Sequence, residues 1–340
     1  MLQHSRILVT GAGGFIGHHL VTSLKARGHW VRGVDVKAPE YARTEADEFV
    51  IGDLREMSTC METTAGIDQV YALAADMGGM GYIASHNAEI LQANALINLN
   101  TVEAARRNRV SRYLYASSAC VYPEFLQEET DVRPLREEDA FPAQPQDGYG
   151  WEKLIAELLA RYYREDHALD TRIVRPHNIF GPLGTWGNGR EKAPAALCRK
   201  VAIAKHTGDH RVEIWGDGRQ MRSFCYIDDC VEGLIRLMAS DYTEPINLGQ
   251  DRLISIADLA DMVAEIAGIG IEKVFVEGPQ GVRGRNSDNT RLREVLDWEP
   301  QVTLEDGMAW TYAWIEQQVV ERLASGGEQD AVSEELISAD

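Results

Sequence analysis

Tyr149 and Lys153 stand four residues apart, a spacing that puts both side chains on one face of a helix. A lysine near a phenol favours the phenolate, and a phenolate can take a substrate hydroxyl proton as hydride leaves the carbon. Taken alone, such a pair is more often an accident of a helix surface. Here it follows a β-type run ending in Ser117 and Ser118, and the Ser118 hydroxyl can hydrogen-bond the same substrate oxygen. A departing hydride needs an acceptor, and the start of the chain offers a place for one. Gly11, Gly14 and Gly17 form G-x-x-G-x-x-G, with Phe15 and Ile16 inside it, between a short β-rich run and an apolar-periodic stretch. Missing side chains there let the backbone approach a pyrophosphate at the positive end of a helix. The spacing alone also describes a glycine turn that packs helix on strand; the strand and helix on either side favour the nucleotide. Asp35 closes the second β-type run, where a carboxylate can accept both ribose hydroxyls and would repel the extra phosphate of NADP. NAD is therefore the expected cofactor, with Lys37 and Arg43 the residues that would argue for NADP. Asp53, in a Gly-Asp-Leu turn, can reach the adenine amino group or cap a helix.

The elements that must position these groups follow from periodicity. β-Type runs at 6–10, 29–35, 49–51, 69–74, 112–117 and 171–174 alternate with helical stretches, among them 18–27, 86–108 and 149–166. Such alternation predicts an α/β fold: a Rossmann-type doubly wound parallel sheet with helices on both faces. After Pro182 the regular beat stops until a helix over 193–204, and helical periodicity returns at 227–239 and 256–267. The expected organisation is an NAD-binding domain over 1–176 with later returns near 227–250, and a smaller, partly discontinuous substrate lobe mainly within 177–315. An acidic, frayed tail is expected over 316–340, where Glu321, Glu328, Asp330, Glu334, Glu335 and Asp340 face Arg322.

Composition narrows the class. A net charge of −19 over 340 residues repels phosphate backbones and argues against nucleic-acid binding. No run approaches the length of a membrane span, and no signal-type apolar segment precedes the first strand. Five cysteines without a C-x-x-C pair point away from a disulfide framework and from a zinc site, and suit a reducing cytoplasm. No metal is expected. His177 has no second histidine at ligand spacing and reads as a hydrogen-bonded structural histidine. Trp186 and Trp215 can stack on a base or line a sugar pocket, although burial in the core is the commoner fate of tryptophan.

The glycine turn, the Ser118, Tyr149 and Lys153 set and the order of elements resemble the extended short-chain dehydrogenase/reductase class and its NAD-dependent epimerase/dehydratase family, up to about Trp314. Within that family, four segments resemble the members that epimerise GDP-mannose: ADMGGMG at 75–81, SSACVYPE at 117–124, the stretch from Pro176 to Lys200, and GVRGRNSDN at 281–289. The resemblance implies a nucleotide sugar, GDP-mannose or a relative, as substrate. It implies oxidation at carbon 4 with Tyr149 handling that oxygen, and Cys120 with Lys192 as the acid/base pair at the carbons beside the ketone. It further implies substrate contacts from Gly78, Ser118, Ala119, Cys120, Asn178, Glu191, Lys192, Ala193, Lys200 and Arg283. Lys192 could instead serve the diphosphate, but Arg190, Arg199, Lys200 and Arg283 already offer cations. Glu191 has the alternative of orienting Lys192 by ion pairing. Family members of this type pair through two long helices, so a homodimer through 90–106 and 153–163 is expected. A 4,6-dehydratase shares the first oxidation but places an Asp-Glu pair where this chain has Ala119-Cys120, and a non-catalytic NAD-binding regulator would be expected to lose the tyrosine, the lysine or the acid/base groups.

Overall fold

The computed structural model describes residues 4–325 except 188, 279 and 280. Its frame is one parallel sheet. Strands β1 (Arg6–Thr10), β2 (Trp30–Asp35), β3 (Glu48–Ile51), β4 (Gln69–Ala72), β5 (Arg112–Ala116) and β6 (Asp170–Pro176) are joined by a seventh, Pro245–Leu248. The order across the sheet is Pro245–Leu248, β6, β5, β4, β1, β2, β3. The chain winds outward in one direction from β1 to β3 and then restarts at β4 in the other, so the crevice between the carboxyl ends of β1 and β4 is the switch point where such sheets bind ligands.

The strands are buried on both faces and alternate their side chains accordingly. Ile7 and Val9 of β1 enter a core shared with helices α1 (Phe15–Ala26), α6 (Ala193–Thr207) and α7 (Ile227–Ala239). Leu8 enters the opposite core with Val70, Tyr113 and Val102, beneath α2 (Met57–Thr64), α4 (Asn87–Arg107) and α5 (Gly148–His167). The short α3 (Met80–Ser85) lies between β4 and α4. The sequence pattern passed over α2 and α3 because one is polar and the other begins in a glycine-rich run.

After Pro182 the chain leaves the main sheet and rejoins it as strand Pro245–Leu248. Strand Arg211–Trp215 pairs in parallel with Glu272–Val276. Met221–Arg222 lies between Ile254–Ser255 and Gly284–Arg285. Helices α8 (Ile256–Ala267), α9 (Thr290–Leu296) and α10 (Leu304–Ser325) complete the fold, with α6, α8 and α10 supplying one continuous apolar core to the lobe. The expectation of a frayed tail from 316 is corrected over 316–325. That stretch is the end of α10, held because Ile315 and Val319 are wholly buried. Residues 326–340 lie outside the described residues.

Candidate active site

The turn after β1 is shaped by what its glycines let approach. A Cβ at Gly17 would stand 2.1 Å from the Gly11 carbonyl, and one at Gly13 would stand 2.1 Å from the carbonyl of Lys37. Gly13 escaped the sequence reading because it falls outside the three-glycine spacing. Its N–H donates to Asp35 Oδ2 at 3.0 Å, and the N–H of Lys37 donates to Oδ1 at 3.2 Å. Asp35 is thus held at the end of β2 facing the turn. Gly14 precedes α1, and Phe15 and Ile16 form its first turn, so the helix dipole points at the same space. A cleft opens here, lined among others by Gly13, Gly14, Phe15, His18, Tyr41 and Leu183. A bare-backbone cradle, a helix N-terminus and a strand-end carboxylate are the donor set an adenine dinucleotide requires, and the residues present fit NAD. Asp53 does not cap a helix: α2 is capped at Glu56, while Asp53 is chelated by the Arg55 guanidinium at 2.6–3.0 Å, which holds its carboxyl below the usual range.

Tyr149 and Lys153 are brought together as the spacing required. The Asp147 side chain accepts from the N–H of Gly150 and starts α5. Tyr149 and Lys153 lie on the buried face of that helix, 5% and 2% exposed. Lys153 Nζ donates to the Ala116 carbonyl at 2.9 Å and sits 5.6 Å from the Tyr149 ring centre. The sequence argument had lysine favouring the phenolate. In the fold burial is stronger: it raises the Tyr149 pKa, with a hydrogen bond to Ser118 opposing it, and lowers that of Lys153. Ser118 also accepts from the N–H of Cys120 at 3.1 Å and opens a 3₁₀ turn over Ala119–Val121. Close packing of Gly150 against the Cys120 carbonyl seats that turn on α5. The Cys120 side chain packs against Tyr149, while Ala119 turns into the core.

Lys192 caps α6 from the facing lobe. It remains accessible to solvent, yet protein encloses the cleft around it, and desolvation holds its pKa below the lysine range against the opposing pull of Cys120. Ala193 is the first residue of α6, so this helix too presents its positive end. Glu191 does not reproduce the suggested pairing with Lys192; its carboxylate accepts from Arg199 at 2.9 Å. That pair is buried, the Arg199 side chain 0% exposed, so Arg199 is withdrawn from the cations expected to meet phosphate. Gly79 packs against the Glu191 carbonyl, which brings the 75–81 segment with Gly78 beside the 190–193 segment.

Asn178 holds a left-handed backbone, φ 45°, and donates to the Ser223 carbonyl. Lys200 reaches the Glu213 carbonyl and lies 5.9 Å from the ring of Trp215, which is half-buried, whereas Trp186 belongs to the core. Arg283 makes a two-pronged pair with Asp217 at 2.9 Å. The sequence reading missed the two arginines nearest the reacting centre. Arg285 donates to Gln127 at 2.6 Å and to Cys120 Sγ at 3.5 Å. Arg222 stands beside it in register on the neighbouring parallel strand. Burial and the Arg285 cation hold the Arg222 pKa below its ordinary range, although a guanidinium stays charged at neutral pH. Two arginines side by side, one of them close enough to Lys192 to act on its charge, could hold an anion. Arg285 lies in the GVRGRNSDN segment, but no spacing rule connects it to Arg222, 63 residues earlier.

A buried polar network holds the end of β5 from behind. Arg175 donates to both oxygens of Glu157 at 2.8 and 2.6 Å, and Glu157 accepts from Ser117. His177, wholly buried, bonds Asn247 at 2.9 Å, the structural role its isolation implied. Among the described residues no group of three or more His, Cys, Asp or Glu could hold a metal ion, and no helix is long and apolar enough to cross a membrane.

Sheet order, glycine cradle and the Ser118, Tyr149 and Lys153 set define an NAD-dependent enzyme of the short-chain dehydrogenase type, and the chain belongs to the NAD dependent epimerase/dehydratase family, whose model matches residues 7–249. NAD is its cofactor. Within that family it is 49% identical to GDP-mannose 3,5-epimerase 1 of Oryza sativa subsp. japonica, over 94% of this chain and 84% of the relative. It is 48% identical to GDP-mannose 3,5-epimerase of Arabidopsis thaliana, over 96% and 86%. Among solved structures it matches UDP-glucose 4-epimerase of Thermotoga maritima with UDP-glucose, TM-score 0.83 at 25% identity, covering 92% of this chain and 99% of that one. UDP-glucuronic acid 4-epimerase of Bacillus cereus with UDP-glucuronic acid and NAD matches at TM-score 0.76 and 27% identity, covering 92% and 99%.

Proposed function

We propose that the chain epimerises GDP-mannose through a 4-keto intermediate, giving GDP-L-galactose when carbons 3 and 5 both invert and GDP-L-gulose when carbon 5 alone does. The observation that carries this reading is the placement of Cys120 beside Tyr149, with Lys192 entering the same cleft from the other lobe. Bound NAD would supply the hydride acceptor, and then the hydride donor, for carbon 4. Tyr149 takes the hydroxyl proton at that carbon as its phenolate, the form that the Ser118 hydrogen bond and the nearby Lys153 charge favour against burial, and later returns it. Once the ketone exists, the hydrogens on carbons 3 and 5 are acidic, because an enolate spreads the charge onto oxygen. Inversion then needs a base on one ring face and an acid on the other. Cys120 and Lys192 come from different lobes and can flank a ring between them. Arg222, Arg285 and the α6 N-terminus supply positive charge for the diphosphate. Asp35 and the 11–17 turn would hold the cofactor. Incubation of the purified protein with GDP-mannose, followed by hydrolysis and separation of the sugars, tests the reading; mannose alone at the end would refute it.

The working form is a homodimer. Leu91 and Leu99 on α4 and Trp151, Ile155 and Tyr162 on α5 are 41–59% exposed and recur at helical spacing, an apolar face that a second copy would cover. Sedimentation at micromolar concentration should give twice the chain mass of 37.9 kDa. Five unbridged cysteines suit a reducing cytoplasm.

A further inference from the structure

A polar layer lies in the seam between α4 and α5, next to the Tyr149–Lys153 pair. Glu152 shares the buried face of α5 with both residues and is 3% exposed. A carboxyl on that stripe is costly unless it is compensated. α4 meets it with two asparagines one turn apart, Asn94 and Asn98, 0% and 5% exposed. Asn98 donates to Glu152 Oε1. Asn94 grips both backbone groups of Asp76, accepting from its N–H at 2.6 Å and donating to its carbonyl at 3.0 Å. The Asp76 carboxylate accepts from Tyr82 at 3.1 Å and lies 3.8 Å from Arg190, whose guanidinium covers the Tyr82 ring. Glu152 Oε2, in contrast, is buried without a hydrogen-bond partner. The reaction cycle makes no use of Glu152.

We propose that Glu152 is a positioning residue: it is the countercharge of Lys153, and through Asn98 and Asn94 it ties the helix carrying that lysine to the loop carrying Gly78. The charged and titratable groups that face Lys153 are Glu152, Glu157 and Tyr149 on α5, Cys120 on the 3₁₀ turn and Tyr115 on β5; α4 presents neutral amides to Glu152. Burial draws the proton off Lys153, opposed first by Glu152 and then by Cys120 and Glu157; burial likewise raises the Glu152 carboxyl, and Lys153 is the first group to oppose that. Without the carboxylate Lys153 should lose its charge at lower pH.

The assay rests on the epimerase reading. Glu152→Gln keeps the shape and the acceptor for Asn98 but removes the charge. It should melt close to wild type, lower kcat by about tenfold with KM for GDP-mannose little changed, and move the alkaline limb of the kcat profile down by about one pH unit. A wild-type limb in that variant overturns the proposal, even with lower kcat, because a merely structural residue would leave the limb in place. Glu152→Asp keeps the charge and should hold the limb at its wild-type pH; a displaced limb there overturns the charge role whether or not Glu152→Gln folds. Inactive wild type would refute the substrate reading instead. In that case the titration of the Lys153 side chain by carbon-13 NMR, assigned by its loss in Lys153→Met, decides the proposal alone: a midpoint unchanged by Glu152→Gln overturns it.

Discussion

Arg175→Met should be among the more damaging single changes outside the reacting centre. The arginine is 2% exposed and its partner Glu157 is 4% exposed, so neither charge has water to fall back on. Four hydrogen bonds leave the guanidinium: two to Glu157, one to the Tyr122 hydroxyl at 3.2 Å and one to the Glu137 carbonyl at 2.7 Å. Methionine fills most of the volume, so the loss is electrostatic rather than a cavity. Removing one partner of a buried pair costs about 3–5 kcal/mol, and the number of bonds lost here places the expectation in the upper half of that range. A protein with a net stability of about 5–15 kcal/mol loses a large fraction of it. Removing both charges with Arg175→Met/Glu157→Leu should recover part of the loss, because no uncompensated carboxylate remains, even though Ser117 forfeits its acceptor. Urea unfolding of the wild type, both single variants and the double variant completes the cycle. If Arg175→Met lies within about 1 kcal/mol of wild type, or the double variant is no more stable than the single, a buried and mutually dependent pair is the wrong description of this site.

Tyr149→Phe should abolish turnover while binding NAD and GDP-mannose nearly as well as wild type, since the ring stays and the proton acceptor goes; calorimetry beside the turnover assay checks both halves. Cys120→Ala or Lys192→Ala should leave NAD reduction detectable in a single-turnover absorbance trace yet slow deuterium exchange at carbons 3 and 5 by about 10²–10⁴-fold, the usual worth of a general acid or base. Exchange at the wild-type rate in both variants would send the search for the pair elsewhere. His177 is neutral in the native state, its pKa pushed down by burial to about 3 from 6.5. Above pH 6.5 it is neutral folded or unfolded and contributes nothing; below that the unfolded chain takes up a proton the native state refuses. Stability should therefore fall as pH drops, by about 2 kcal/mol between pH 7 and pH 5, and His177→Gln should flatten that slope in urea midpoints.

Much of this protein could be read from local pattern. The bounds of β1, α7 and α8 coincide with those expected from the sequence, because their apolar periodicity is unbroken and their ends carry clear stop signals. Tyr149 and Lys153 were legible for the same reason: a spacing of four along a helix is a short-range property that any fold keeping the helix must honour. The glycine turn was legible because backbone approach demands glycine wherever the turn sits.

Long-range pairing decided the rest. Arg222 and Arg285 became neighbours only when two-residue strands aligned in register. Arg199 looked like a phosphate ligand until α6 rotated it inward onto Glu191. Tyr149 was expected to favour its phenolate, yet burial, which no pair of residues carries in its spacing, raised its pKa instead. Charge, exposure and desolvation are sums over everything that surrounds a group, so they exist only once the two lobes have closed around the cleft.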